Sequence, residues 1–159
     1  MQRILFVCLG NICRSPTAEG MFRRLLDERG LAHRVQVDSC GIGDWHVGKA
    51  PDPRTREAAA RRGVDLSALR ARQLAADDFG RFDYLLAMDH DNLAAMRALA
   101  PSETDAHLGL FLDFAGLSDR AVPDPYYGGE QGFEEVLDLV EQGVLGLLAE
   151  IEARLESRP

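Results

Sequence analysis

The chain has no apolar stretch approaching the roughly 18 residues that a membrane-spanning helix needs. Its opening, Met-Gln-Arg-Ile-Leu-Phe-Val-Cys, runs directly into a strand pattern, without the apolar region and cleavage site of an export signal. A cytoplasmic protein is expected. Cysteine is scarce: Cys8, Cys13 and Cys40 are an odd number, which argues against a disulfide framework and for reduced thiols. Lysine is almost missing, with Lys49 alone among plentiful arginines, and no function follows from that. There is no internal repeat and no low-complexity tract. His33, His46, His90 and His107 are dispersed without ligand spacing, and the Asp77-Asp78 and Asp89/Asp91 pairs read as solvated caps, so neither a metal nor another cofactor is expected. No G-x-x-x-x-G-K-[ST] occurs, which excludes a nucleotide-binding loop of that type. Positive charge is in deficit: a net charge of -8 opposes general attraction to nucleic acid or anionic membrane, so neither is an expected partner. An anionic substrate would need a positive site that is strictly local.

What is present suits one domain spanning residues 1–159, with 46% hydrophobic residues to enclose a core. Arg3-Ile4-Leu5-Phe6-Val7 reads as a strand buried on both faces. Ser15-Pro16 then signals a helix start, with serine at the cap and proline at the first helical position, and Ala18, Met21, Phe22, Leu25 and Leu26 recur at helical spacing until Gly30. A second strand is expected at Val35 to Cys40, a long loop carrying Trp45 from Gly41 to Pro53, and a helix from Thr55 to Arg62 that stops at Gly63. Phe82 to Met88 is a third strand, Asp89 caps a helix from about Asp91 to Leu99, and His107 to Phe111 is a fourth strand. Phe133, Val136, Leu137, Val140, Val144, Leu147, Leu148, Ile151 and Leu155 line one face of a final helix. Strands alternating with helices predict an α/β fold: an open parallel sheet with helices on both faces and a ligand site beyond the strands' carboxyl ends.

The segment Cys8-Leu9-Gly10-Asn11-Ile12-Cys13-Arg14-Ser15 sits where such a site belongs. The backbone N–H groups of Leu9, Gly10, Asn11, Ile12 and Cys13 can turn inward around one tetrahedral oxyanion, helped by the positive end of the following helix. Gly10 permits a backbone conformation barred to most residues, and Asn11 tolerates a left-handed one. Arg14 adds a planar fork able to hold two phosphoryl oxygens. The same donors favour Cys8 as an attacking thiolate. A lone cysteine at a strand end is more often a small core hydrophobe. An arginine six places on, followed by Ser-Pro at a helix start, points to a nucleophile, although a passive anion site remains open.

A leaving alkoxide or phenoxide needs a proton, and a phosphocysteine needs an activated water. Asp124, in Val-Pro-Asp-Pro-Tyr-Tyr-Gly-Gly, can supply both from a loop stiffened by prolines and flanked by Tyr126 and Tyr127. Asp-Pro by itself is most often a turn.

Four motifs together resemble the low-molecular-weight protein tyrosine phosphatases: V-C-L-G-N-I-C-R-S-P-T-A-E at Val7 to Glu19, V-D-S at Val37 to Ser39, D-P-R at Asp52 to Arg54, and D-P-Y-Y-G at Asp124 to Gly128. The resemblance implies a four-stranded parallel sheet of order 2-1-3-4. It implies hydrolysis of phosphotyrosine in proteins, with Cys8 as nucleophile, Arg14 as phosphate clamp, Asp124 as general acid and then base, and the loop from Leu9 to Ser15 around the phosphate. Ser15 would hydrogen-bond the Cys8 sulfur. Asn11 would brace the loop against Ser39, unless Ser39 is only a strand-end serine, and Asp89 would support Arg14, unless it is only a helix cap. Trp45, Tyr126 and Tyr127 would grip the phenyl ring. Cys13 matches a loop cysteine that can form a reversible disulfide with the nucleophile, the alternative being a packed thiol, whereas Cys40 reads as core. Vanadate and inorganic phosphate are expected inhibitors.

Two rivals share parts of this pattern. A thioredoxin-coupled arsenate reductase would relay a disulfide through further cysteines, and none follows Cys40. A silent phosphotyrosine-binding module would have lost Cys8 or Asp124, and both are present.

Overall fold

Alternation along the first strand explains the layers on either side of it. The computed structural model describes residues 1–126 and 129–157. In β1 (Gln2–Cys8), Ile4, Phe6 and Cys8 point into one core while Leu5 and Val7 point into the other, and all five are essentially inaccessible. A strand with apolar neighbours above and below needs no polar face, so its run is continuous rather than alternating. Parallel partners flank it on both sides: β2 (Val35–Gly41) on one and β3 (Tyr84–Ala87) on the other, with β4 (His107–Leu110) beyond, giving the expected order 2-1-3-4.

On the first face lie α1 (Arg14–Glu28), α2 (Pro53–Arg61) and the long α5 (Glu130–Glu156); Phe6 packs edge-on against Phe22 and Phe111, with ring centres 6.0 and 5.3 Å apart. The other face is covered by the short α3 (Asp78–Arg81) and by α4 (His90–Leu99), through Phe79, Leu93 and Met96. Each large side chain buried in this way contributes on the order of 1.5–3 kcal/mol. β1 is where the chain turns from one side of the sheet to the other, the position at which open α/β sheets carry their ligands.

Several expectations are corrected. Phe111 does not end a strand but begins a 3-10 turn, Phe111–Ala115, pressed against α5. Gly143 and Gly146 permit that contact: a Cβ on the first would overlap the Phe111 ring, and one on the second the Phe114 carbonyl. Asp78 is not a solvated cap. It is 1% exposed, receives both guanidinium nitrogens of Arg72 at 3.0 Å, and accepts the Ala75 N–H at 2.8 Å. α2 starts at Pro53, capped by Asp52, whose carboxylate accepts the Arg54 N–H at 2.8 Å. Ser15 is not the cap of α1, which begins at Arg14 with no side-chain cap, leaving Pro16 as its third residue. The reason lies in what Ser15 does instead.

Candidate active site

Cys8 is the last residue of β1, and its sulfur is enclosed rather than free: Ser15 Oγ lies 2.9 Å away and the Asn11 N–H donates to it at 3.2 Å. Turning the Ser15 hydroxyl inward leaves the first helical N–H groups without a side-chain cap. The N–H groups of Gly10, Ile12 and Cys13 likewise find no acceptor among the described residues, although Ile12 and Cys13 are buried. Buried donors of this kind require a partner, and a bowl of them at a helix N-terminus is suited to an oxyanion.

Asn11 holds the bowl's shape. Its φ of 58° is the left-handed conformation expected for it. Its side chain donates to Ser15 Oγ at 2.8 Å and to Ser39 Oγ at 2.9 Å, and accepts the Arg72 N–H at 3.0 Å. Ser39 passes the connection on by donating to Glu19 at 2.7 Å. Burial raises the Glu19 carboxyl above its ordinary value, and the Ser39 hydroxyl and Arg23 only partly offset this. Glu19 was thus part of a matched motif whose place in the network no spacing rule reveals.

Gly10 does not use the conformational freedom expected of it. It is not among the residues with positive φ; a Cβ there would meet the His46 ring at 2.9 Å. Gly41 has a similar constraint, since its Cβ would lie 2.9 Å from the Leu9 carbonyl oxygen and 3.1 Å from the Asn11 nitrogen. Both glycines mark close approach of the loop to its surroundings.

Arg14 is 2% exposed and is aimed by three groups. Its Nη1 donates to Asp89 Oδ2 at 2.6 Å and to the Val122 carbonyl at 3.1 Å, and its Nη2 lies 3.6 Å from Asp124 Oδ2. Burial opposes its charge, but a Cys8 thiolate and the Asp89 carboxylate outweigh that and hold the guanidinium above its ordinary value. Asp89 meets both groups at once: its other carboxylate oxygen, Oδ1, accepts the Asn92 N–H at 2.7 Å as the cap of α4. Asp124 is 40% exposed, with Oδ1 accepting the Tyr126 N–H at 3.0 Å. The turn expected of Asp-Pro therefore coexists with a carboxylate facing the bowl.

Above the bowl opens a cleft of about 390 Å³ lined by Leu9, Ile12, Trp45, His46, Asp124 and Tyr126. Trp45 stands 63% exposed, and the His46 and Tyr126 rings lie 6.2 Å apart. Tyr127 falls outside the described residues. His46 has no ligand spacing in the sequence; it reaches the cleft through the loop after β2, where no periodicity marks it. Among the described residues no three His, Cys, Asp or Glu side chains gather as a metal site.

Burial pushes the Cys13 thiol up to about 12, a nearby Thr55 hydroxyl pulling the other way, and raises the Cys40 thiol as well. Both stay protonated near neutrality, in contrast to what a nucleophile requires.

A bowl of donors around a thiol, with an arginine and a carboxylate at the same cleft, is an arrangement suited to phosphoryl transfer. The family model for low molecular weight phosphotyrosine protein phosphatase matches residues 3–157. The chain is 45% identical to low molecular weight protein-tyrosine-phosphatase YfkJ of Bacillus subtilis over 96% of this chain and 97% of that one. It is 46% identical to a low molecular weight protein-tyrosine-phosphatase of Streptomyces coelicolor, covering 98% and 97% of the two chains. The crystal structure of a protein tyrosine phosphatase from Entamoeba histolytica superposes with a TM-score of 0.91 at 36% identity, covering 96% of this chain and 98% of that one. Matched almost from end to end in sequence and in fold, the chain belongs to the low molecular weight phosphotyrosine protein phosphatases.

Proposed function

We propose that the protein hydrolyses phosphotyrosine in proteins, and aryl phosphates generally, through a phosphocysteine and without a metal. Cys8 attacks phosphorus, the S–P bond forms as the ester P–O bond breaks, and Asp124 gives its proton to the departing oxygen. Arg14 and the loop N–H groups hold the equatorial oxygens throughout, where transition-state charge collects. Asp124 then takes a proton from water as that water attacks the phosphocysteine, releasing inorganic phosphate and the thiolate. The Ser15 hydroxyl, 2.9 Å from the sulfur, is placed to stabilise the leaving thiolate.

The observation that carries this reading is the position of Arg14, which touches the Asp124 carboxylate at 3.6 Å while sitting on the loop of Cys8. That contact supports a reading in which nucleophile and acid address one phosphoryl group. A reductase relay has no cysteine after Cys40 to receive a disulfide, and a passive binding module has no use for both Cys8 and Asp124.

Turnover of 4-nitrophenyl phosphate in EDTA by wild type, Cys8→Ser and Asp124→Ala tests the scheme. Cys8→Ser should be inactive and Asp124→Ala slower by about 10²-fold or more. Loss of wild-type turnover in EDTA, or retention of most of it by Cys8→Ser, would refute the scheme. Vanadate and inorganic phosphate should compete with substrate, since either fits the bowl.

A further inference from the structure

Arg54 lies outside the bowl, yet it joins Asp52, which is bonded to the nucleophile loop, to Tyr126 on the acid loop. Its Nε and Nη2 form a fork on the Asp52 carboxylate at 3.1 and 2.9 Å, and Nη2 also donates to the Tyr126 carbonyl at 2.9 Å. The guanidinium sits over two rings, 5.5 Å from the centre of Tyr126 and 4.8 Å from that of Phe133 at the start of α5. Asp52 in turn is anchored to the nucleophile loop, its N–H donating to the Ile12 carbonyl at 2.9 Å. The carboxylate of Asp124 is fixed from the same side, since it accepts the N–H of Tyr126.

The path is therefore continuous: Ile12, Asp52, Arg54, Tyr126, Asp124. An exposed ion pair alone has little value, but this one is bidentate, stacked on two rings and bonded to the backbone of the acid loop. Resting on the reaction proposed above, the geometry points to Arg54 as the positioning residue that sets the general acid over the leaving group. It touches no reacting atom. Its role is to hold the acid loop in register with the loop that carries the nucleophile, a register that lysine cannot reproduce because it lacks the fork and the planar face.

The test is kcat/KM for two substrates that differ in their need for an acid: 4-nitrophenyl phosphate, whose leaving group departs readily, and phenyl phosphate, whose leaving group does not. Asp124→Asn serves as the reference, because loss of the acid should penalise phenyl phosphate far more. Arg54→Gln should show the same asymmetry, losing about tenfold or more on phenyl phosphate and under threefold on 4-nitrophenyl phosphate. Arg54→Lys, which keeps the charge, should show it in weaker form. Equal losses on both substrates, or no loss with either Arg54 variant while Asp124→Asn retains the asymmetry, would overturn the inference and leave the reaction scheme standing. An Asp124→Asn variant without asymmetry removes the acid itself and both readings with it. If Arg54→Gln does not fold, the lysine variant decides alone, and wild-type behaviour there counts against the proposal.

Discussion

The Asp89 carboxylate is shared between two tasks: one oxygen caps α4 through the Asn92 N–H at 2.7 Å, and the other receives the Arg14 guanidinium at 2.6 Å. One residue thus links the cap of α4 to the aim of Arg14, the proposed phosphate clamp, and the two can be separated by substitution.

Asn is as good a helix cap as Asp but carries no charge. Asp89→Asn should therefore leave urea stability within about 1 kcal/mol of wild type while lowering kcat/KM about tenfold, the equivalent of ~1.4 kcal/mol. Asp89→Ala should lose the same activity and a further ~1–2 kcal/mol of stability. Wild-type kinetics in the asparagine variant would show that Arg14 needs no partner.

Cys13 gives the fold an alkaline weakness. Its thiol is held up to about 12 in the folded state against an ordinary value of 9.0, so the folded chain keeps a proton that the unfolded chain releases. The resulting stability is complete below about pH 9 and is lost as pH rises toward 12. Urea midpoints from pH 7 to 11 should fall more steeply for wild type than for Cys13→Ala. Parallel curves would remove Cys13 as the source.

The same proton bears on the reversible disulfide with Cys8 that the family resemblance implies for Cys13. Peroxide would convert Cys8 to a sulfenic acid, and closure of the disulfide, with release of water, needs Cys13 as thiolate. Recovery of activity by dithiothreitol after peroxide should be greater at pH 9 than at pH 7, and smaller in Cys13→Ala than in wild type. Equal recovery in the variant excludes the disulfide.

For Gly146 two principles predict opposite signs. Helix propensity favours alanine by about 1 kcal/mol, whereas a Cβ there overlaps the Phe114 carbonyl. Backbone cannot yield as a side-chain tip can, so Gly146→Ala should destabilise by about 2 kcal/mol or more. Gly80, where an added Cβ meets nothing within 4 Å among the described residues, serves as a control. A stabilised Gly146→Ala would show that the 3-10 turn shifts freely.

Tyr126 lines the cleft beside His46 and Trp45. Tyr126→Ala should reduce kcat/KM for phenyl phosphate several-fold more than for an alkyl phosphate, through loss of ring contact worth roughly 0.5–1.5 kcal/mol. Equal reductions would exclude a ring-binding wall.

The parts of the molecule legible in the sequence were those written locally. The apolar run of β1, the spacing from Cys8 to Arg14, the proline-flanked Asp124 and the amphipathic face of α5 each carry their signal within a few residues. Features made by distant approach were not legible. Gly10 reads in the sequence only as conformationally free, although the His46 ring lies against it, and Asp78 reads as a surface cap, although Arg72 lies over it. Ser15 is the instructive error. Ser-Pro is a sound helix-start signal, but a hydroxyl has one orientation at a time, and here the sulfur, Asn11 and the Cys40 carbonyl at 3.3 Å hold it away from the helix end.

Arg14 reaches Asp89 across 75 residues of sequence and the Val122 carbonyl across 108. A ribosome must therefore have released most of the chain before the clamp has anything to close on. A polypeptide cut off before Asp89 and Val122 would carry the complete cysteine loop with an Arg14 that lacks both of the partners aiming it.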